Sequence, residues 1–274
     1  MKAFLDATSA WEYYLHLCRW FGAKQETRQK DRGFTLELLE EGFVLHDPTR
    51  CFNWNSVRKH DMKYWAVELA WTLGKRLSGN TFLLNHYPKY KQYLEPDGIA
   101  YWAYGPRIMD KVEKCIELLL KHPDSRRATV SFQAEDDLQH AVDEDVKDIP
   151  CFTEMQFIIR DGALNMRVQM RSQDVWVGMP CDIALMCTLQ MLVAARLGVG
   201  IGCYIHRFTS VHLYDKHLSV ADDALDAVGK VGVDAPERFK LAPQTLQSAN
   251  GFMENCLKTD PNPSGVIELL TRKL

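Results

Sequence analysis

The clearest pattern of apolar and polar positions lies in the second half of the chain. TEMQFIIR (153–160) and LNMRVQMR (164–171) alternate on either side of Asp161-Gly162, a pair that tolerates the positive φ of a tight turn, and this predicts a β-hairpin. Residues 182–197 are rich in Ala, Leu, Met and Cys and stop at Gly198, which predicts a buried helix; residues 201–211 read as the next strand. Upstream, residues 11–21 show helical spacing after Ser9, a suitable cap, and predict a surface helix. Residues 35–45 suit an extended segment, and residues 60–77 an amphipathic helix that carries Glu68 among Trp65, Val67, Leu69 and Trp71. Tyr87, Tyr90, Tyr93, Tyr101, Trp102 and Tyr104 are interrupted by prolines and glycines, like a wall of irregular segments. Residues 110–120 predict a helix ending at His122-Pro123, from which Arg126-Arg127 leads into the strand pattern ATVSF (128–132). The charged runs 24–33 and 135–148 have no period and predict solvent loops; from His217 the chain reads as mostly helical, broken at Gly232, Pro236, Pro243 and Pro261 to Pro263. No repeat or linker divides it, so residues 1–274 are expected to form a single domain.

Composition narrows the partners. With 33 basic and 36 acidic side chains the chain generates no field that would gather nucleic acid or a membrane surface, so an anionic ligand must be met by a local basic cluster. The first twenty residues lack a signal-peptide cleavage site and no apolar run approaches the roughly 20 residues of a membrane span, which predicts a cytoplasmic protein. Eight cysteines form no CxxC pair and no Cys/His ligand spacing, so neither a metal site nor a disulfide framework is expected.

Candidate chemistry is concentrated between residues 126 and 214. Arg126, Arg127, Arg171 and Ser172 offer the guanidinium forks and hydroxyl that a phosphate dianion requires, although each arginine alone also suits plain surface. Cys151 follows Ile149-Pro150 at a strand entry, where nearby cations would help its thiol ionise; taken alone it reads as a packed cysteine. Asp182 stands where the predicted helix starts and suits either a helix cap or a site carboxyl. His212 and Tyr214 share one strand face, suited to holding a hydroxyl or one another.

Taken together, Cys151, Arg171-Ser172-x-Asp174, Gly178, Pro180, Asp182 and His212-x-Tyr214 resemble the thymidylate synthase superfamily, most closely its cytidylate hydroxymethylase branch found in phages. PDSRR (123–127), Tyr104-Gly105, ELAW (68–71) and TLELLEEGFVLHDP extend the resemblance over roughly residues 28 to 218, leaving 219–274 as a helical C-terminal extension. It implies an α/β (α+β) fold, a mixed sheet with packed helices that dimerises through the sheet, with Arg126 and Arg127 serving the partner's site. It also implies a pyrimidine nucleoside monophosphate and methylenetetrahydrofolate as substrates, with no metal. In this reading Cys151 adds to C6 of the base so that C5 can attack the one-carbon unit, while Glu68 and Tyr104 manage protons and position the ring. Arg171, Ser172 and Lys30 (or Arg32) join the two arginines around the phosphate, His212 and Tyr214 hold the sugar 3′-hydroxyl, and Asp174, Gly178 and Tyr90 contact the folate.

Asp182 stands where the uracil-using members carry Asn. A protonated carboxyl can donate to N3 of cytosine while accepting from the C4 amine, the reverse of the pattern uracil needs. The expected reaction is therefore C5 hydroxymethylation of dCMP. Alternatives are C5 methylation of dCMP, hydroxymethylation of CMP, thymidylate synthesis, or an idle nucleotide-binding homologue. Phe152 departs from the His that usually follows the nucleophile, and Tyr90 and Tyr93 replace a tryptophan pair, which would admit water.

Overall fold

The computed structural model describes residues 1–27, 33–78, 82–144, 146–228 and 239–273. The chain opens with β1 (Lys2–Phe4), α1 (Ala7–Phe21), β2 (Ala23–Glu26) and β3 (Phe34–Leu45). α1 begins where Asp6, in extended conformation, accepts from the Ser9 N–H at 2.8 Å; Asp6 is the cap, and Ser9 already lies in the first turn, where its N–H is one of the donors a helix start leaves free. One face of α1 is buried, and Trp11 Nε1 reaches the Val175 carbonyl at 2.6 Å. The charged run after it is not all loop: residues 23–26 pair antiparallel with β3, and polar side chains suit such an edge.

Next come α2 (Met62–Leu73), α3 (Phe82–His86), a 3-10 turn over Pro88–Tyr93, α4 (Tyr104–Lys121), β4 (Thr129–Ser131) and α5 (Asp137–Asp143). α2 is shorter than its apolar run because Asp61 caps it and Gly74 ends it. α4 starts six residues earlier than its period suggests, since Tyr104 and Gly105 pack inside. The acidic stretch predicted as loop holds α5, whose Asp137 is buried against Arg107 at 2.8 Å and accepts also from Tyr101 at 2.9 Å and from the Ala134 N–H at 2.8 Å.

β5 (Phe152–Arg160) and β6 (Ala163–Asp174) form the expected hairpin, with Asp161 and Gly162 at φ 52° and 71°. α6 (Gly178–Leu197) then crosses to β7 (Gly200–Tyr214), which runs parallel to β6. By length and composition α6 could cross a bilayer, which the sequence reading had excluded for every segment. Its apolar character follows from its place inside, where residues from Met179 to Ala194 are largely buried. The chain continues through α7 (Leu218–Asp226), β8 (Phe239–Leu241), α8 (Leu246–Lys258), α9 (Pro263–Leu270) and β9 (Thr271–Lys273). α9 packs on α2, and α8 on α2 and α6, while β8 and β9 pair with each other.

The main sheet has seven strands in the order β1-β3-β7-β6-β5-β4, with β2 against β3. It is mixed: β1 with β3 and β6 with β7 are parallel, the other pairs antiparallel. Leu164, Met166, Val168 and Met170 alternate into the core beside Tyr204, His206 and Phe208, and α1 and α6 pack on the sheet; Arg167, Gln169 and Arg207 on the other face stay partly exposed.

Candidate active site

The topology gathers the chemistry at one end of the sheet. Because β6 and β7 are parallel, their last residues emerge together, with Asp174 beside His212, and antiparallel β5 begins at the same edge, where the Arg171 N–H donates to the Cys151 carbonyl at 2.9 Å. The β5–β6 register shifts between Phe152 and Glu154, a bulge immediately after Cys151 of the kind that re-aims a side chain. The Arg171 guanidinium holds the approach to the thiol, donating to the Pro150 carbonyl at 3.1 Å and the Ile149 carbonyl at 2.9 Å.

Cys151 is free and partly exposed. Its thiol is not acidified as the sequence suggested: burial of the sulfur pushes it up to about 12, and although Arg171 pulls it down, Asp148, Asp182 and Asp174 push it further up. One guanidinium cannot offset burial and three carboxyls.

Glu68 is buried on α2, its Oε1 accepting from the Tyr64 hydroxyl at 3.0 Å, and Tyr64 in turn receives the Tyr90 hydroxyl. Its Oε2 is buried with no partner among the described residues. Burial and the Asp182 charge raise this carboxyl to about 8, against the opposing pull of Tyr64. Asp182 is raised to about 7 by burial, with Asp174 adding to the rise, while Gln173 Nε2, donating to Oδ2 at 2.8 Å, holds it down. Asp182 does not cap α6, which starts four residues earlier at Gly178; Asp174 Oδ1 instead accepts from the N–H groups of Trp176 and Val177 at 2.8 and 2.9 Å, just before the helix. Gly178 lies over the Gln173–Asp182 bond: a Cβ there would stand 3.0 Å from Asp182 Oδ2 and 3.2 Å from Gln173 Nε2.

Tyr104 lies among these groups. Its ring meets Phe132 and Phe152 edge-on at 5.7 and 5.2 Å, and its hydroxyl is raised by burial and then by Asp182, Cys151 and Glu68. His212 and Tyr214 stack edge-to-face at 5.1 Å, and burial lowers the imidazole against the opposing pull of Asp174 and Glu37. Ser172 is paired across the ladder with Ser210. Tyr90 stacks on Tyr64 at 5.6 Å and tilts over Trp102 at 6.2 Å.

Arg126 and Arg127 are not brought to the thiol. Their exposed loop adjoins the far part of β5, where Gln156 Nε2 donates to the Arg126 carbonyl and the Phe157 N–H to Ala128. Five or six residues of strand, about 17 to 20 Å at the usual rise, separate that point from Cys151. Lys30 and Arg32 lie outside the described residues. Beside Arg171 and Ile149 a cleft of about 460 Å³ is walled by α5 and by Lys147 and Asp148.

The sequence reading missed Tyr64 and Gln173. Tyr64 stands four residues before Glu68 on one helix face, a spacing that could have been used. Gln173 sits inside the Arg-Ser-Gln-Asp run and looks like a spacer until α6 is folded back over it. Cys181 is partly exposed and lies close enough to Glu68, Arg58 and Asp182 to feel their charges.

A thiol, two carboxyls of raised pKa, one buried and one half-buried, and a tyrosine wall at one end of a mixed sheet make this a site for nucleophilic catalysis with proton transfer. The thymidylate synthase family model matches residues 12–230, and the chain belongs to that family. It is a one-carbon transferase of nucleotide biosynthesis, carrying out folate-dependent C5 transfer on a nucleoside monophosphate. Among the described residues no group of His, Cys, Asp and Glu is arranged to hold a metal.

Proposed function

We propose that the protein hydroxymethylates dCMP at C5. The observation that carries the reading is the Asp182 carboxyl, raised to about 7 and therefore able to present a proton to N3 while accepting from the C4 amine. An ionised carboxylate facing O4 and N3–H of uracil would leave O4 without a donor.

The folate co-substrate supplies a one-carbon unit at the oxidation level of formaldehyde. The residues here fit such a ligand: Glu68 Oε2 and Trp102 Nε1 are buried without partners among the described residues, and Tyr90 and Trp102 give it an aromatic wall. Cys151 bonds to C6 of the base, turning C5 into an enamine-like carbon, and leaves again when the C5–C6 double bond reforms. Arg171 keeps the sulfur's approach fixed and, with Ser172, meets the phosphate; His212 and Tyr214 meet the sugar hydroxyl. Asp174 and Gly178 border the folate side. Glu68, with a pKa near neutrality and one free oxygen, exchanges protons with water beside the ring, and the hydroxyls of Tyr64 and Tyr90 make this wall hospitable to water, favouring hydroxymethyl over methyl as product.

Arg126 and Arg127 complete the phosphate site of a second subunit, docked through the exposed sheet face; their distance along β5 from Cys151 in the same chain supports this. Incubation with dCMP, CMP or dUMP and methylenetetrahydrofolate, followed by mass analysis, tests the reading. Addition of CH2O to dCMP is expected. Addition of CH2 with appearance of dihydrofolate would make it a methyltransferase, and turnover of dUMP alone would refute the base assignment.

A further inference from the structure

Asp182 can read cytosine in only one of its two protonation patterns. N3 needs a donor and the C4 amine an acceptor, so one particular oxygen must carry the proton and the other must be bare. A free carboxylic acid exchanges these roles by moving its proton or turning about χ2, and either change would present the reversed pattern. We propose that Gln173 is the positioning residue that fixes this polarity, and so sets base choice through Asp182 without touching the base. The inference rests on the dCMP reading above.

Three observations support it. Gln173 Nε2 donates to Asp182 Oδ2 at 2.8 Å, and an oxygen accepting that bond on one lone pair is held as the bare acceptor, which leaves the proton to Oδ1. No other hydrogen bond to the Asp182 carboxyl is made by the described residues, so Gln173 alone distinguishes the two oxygens. Gln173 is 1 % exposed and its Oε1 is buried without a partner among the described residues, so the amide is not placed to satisfy its own hydrogen bonds. With the amide reversed, Oε1 would face Oδ2, which would then have to hold the proton and could not accept from the C4 amine. Finally, the pair lies directly against Gly178, where a Cβ would stand 3.0 Å from Oδ2 and 3.2 Å from Nε2, so a residue without a side chain stands where any other would press on the bond.

The test measures kcat/KM for dCMP and dUMP in the full-length protein. Gln173→Met keeps length and removes the donor, and is expected to lower kcat/KM on dCMP about 10- to 100-fold while changing the weak activity on dUMP much less, so that the dCMP/dUMP ratio narrows. In an Asp182→Asn background the same substitution should leave the ratio unmoved, because there is no longer a carboxyl to polarise. Should Gln173→Met not fold, Gln173→Glu, equal in shape, carries the test: two adjacent carboxyls sharing one proton leave Oδ1 bare, and the ratio narrows again. An unchanged ratio in a folded variant, or an equal narrowing in the Asp182→Asn background, overturns the proposal. If wild-type protein prefers dUMP, it is instead the reading of the base that fails.

Discussion

At the residue scale, the two raised carboxyls make stability and activity pull in opposite directions. A carboxyl whose folded pKa is raised holds its proton in the native state at a pH where the unfolded chain has released it. It therefore costs nothing below the ordinary value near 4, and destabilises progressively as pH rises to about 7 for Asp182 and about 8 for Glu68. Wild-type protein should lose stability on the order of a few kcal/mol between pH 5 and 8.5 from these two groups, and Glu68→Gln should flatten that slope while abolishing most turnover; urea unfolding at the two pH values measures it. Cys151→Ser should lose turnover by several orders of magnitude yet bind nucleotide, whereas Cys187→Ser, buried in α6, should stay active; near-normal turnover by the Cys151 variant would defeat its assignment. These groups were legible in the sequence only as a set. Cys151 reads alone as packing, Asp182 as a cap and Glu68 as a carboxylate out of place among tryptophans; their joint spacing is what points to the family. The thiol's acidity was misjudged because burial of the sulfur dominates its pKa, and neither that burial nor the approach of Asp182 and Asp174 exists before the chain folds.

At the scale of elements, the strongly periodic helices end where the sequence indicates, at Phe21, Lys121 and Leu197, to within a residue, but start earlier. The 161–162 turn and the paired strands around it need only local backbone chemistry. The starts of α1, α4 and α6 lie outside their apolar runs, since Asp6, Tyr104 and Gly178 are placed by a cap, a buried ring and a close helix approach. α5 was hidden for another reason: its acidic composition reads as solvated, but Asp137 is turned inward onto Arg107 and Tyr101. Two buried ions that satisfy each other become costly when one is removed. Asp137→Ala should therefore cost about 1–3 kcal/mol by taking the counter-ion from Arg107, which keeps its hydrogen bonds to the Tyr101 and Phe132 carbonyls. It should also loosen the wall of the cleft beside Arg171, raising KM for nucleotide more than it lowers kcat. A change in unfolding midpoint below about 0.5 kcal/mol equivalent would show that the pair is not holding α5.

At the scale of the whole molecule, the mixed sheet follows from the alternation pattern and the βαβ step through α6, but which strands become neighbours does not. β3 and β7 pair although most of the chain lies between them. Subunit sharing can be tested at the same scale. If Arg127 serves a neighbouring site, inactive Arg127→Ala and Cys151→Ser protomers should regain activity when mixed, because one hybrid site receives both native groups. Confirmed heterodimers without rescue would place arginine and thiol in one subunit.

The pairing of Thr35 with Tyr214 has a bearing on how the protein is made. A ribosome adding about 5–20 residues per second releases β3 on the order of ten seconds or more before its partner strand exists. Through that interval a twelve-residue strand, Phe34–Leu45, waits with only β1 and β2 beside it and one long edge open. The nascent chain is therefore most exposed to chaperones, and to other nascent copies, just before β7 emerges. Slowing translation upstream of residue 200 should lower soluble yield more than slowing it after residue 214.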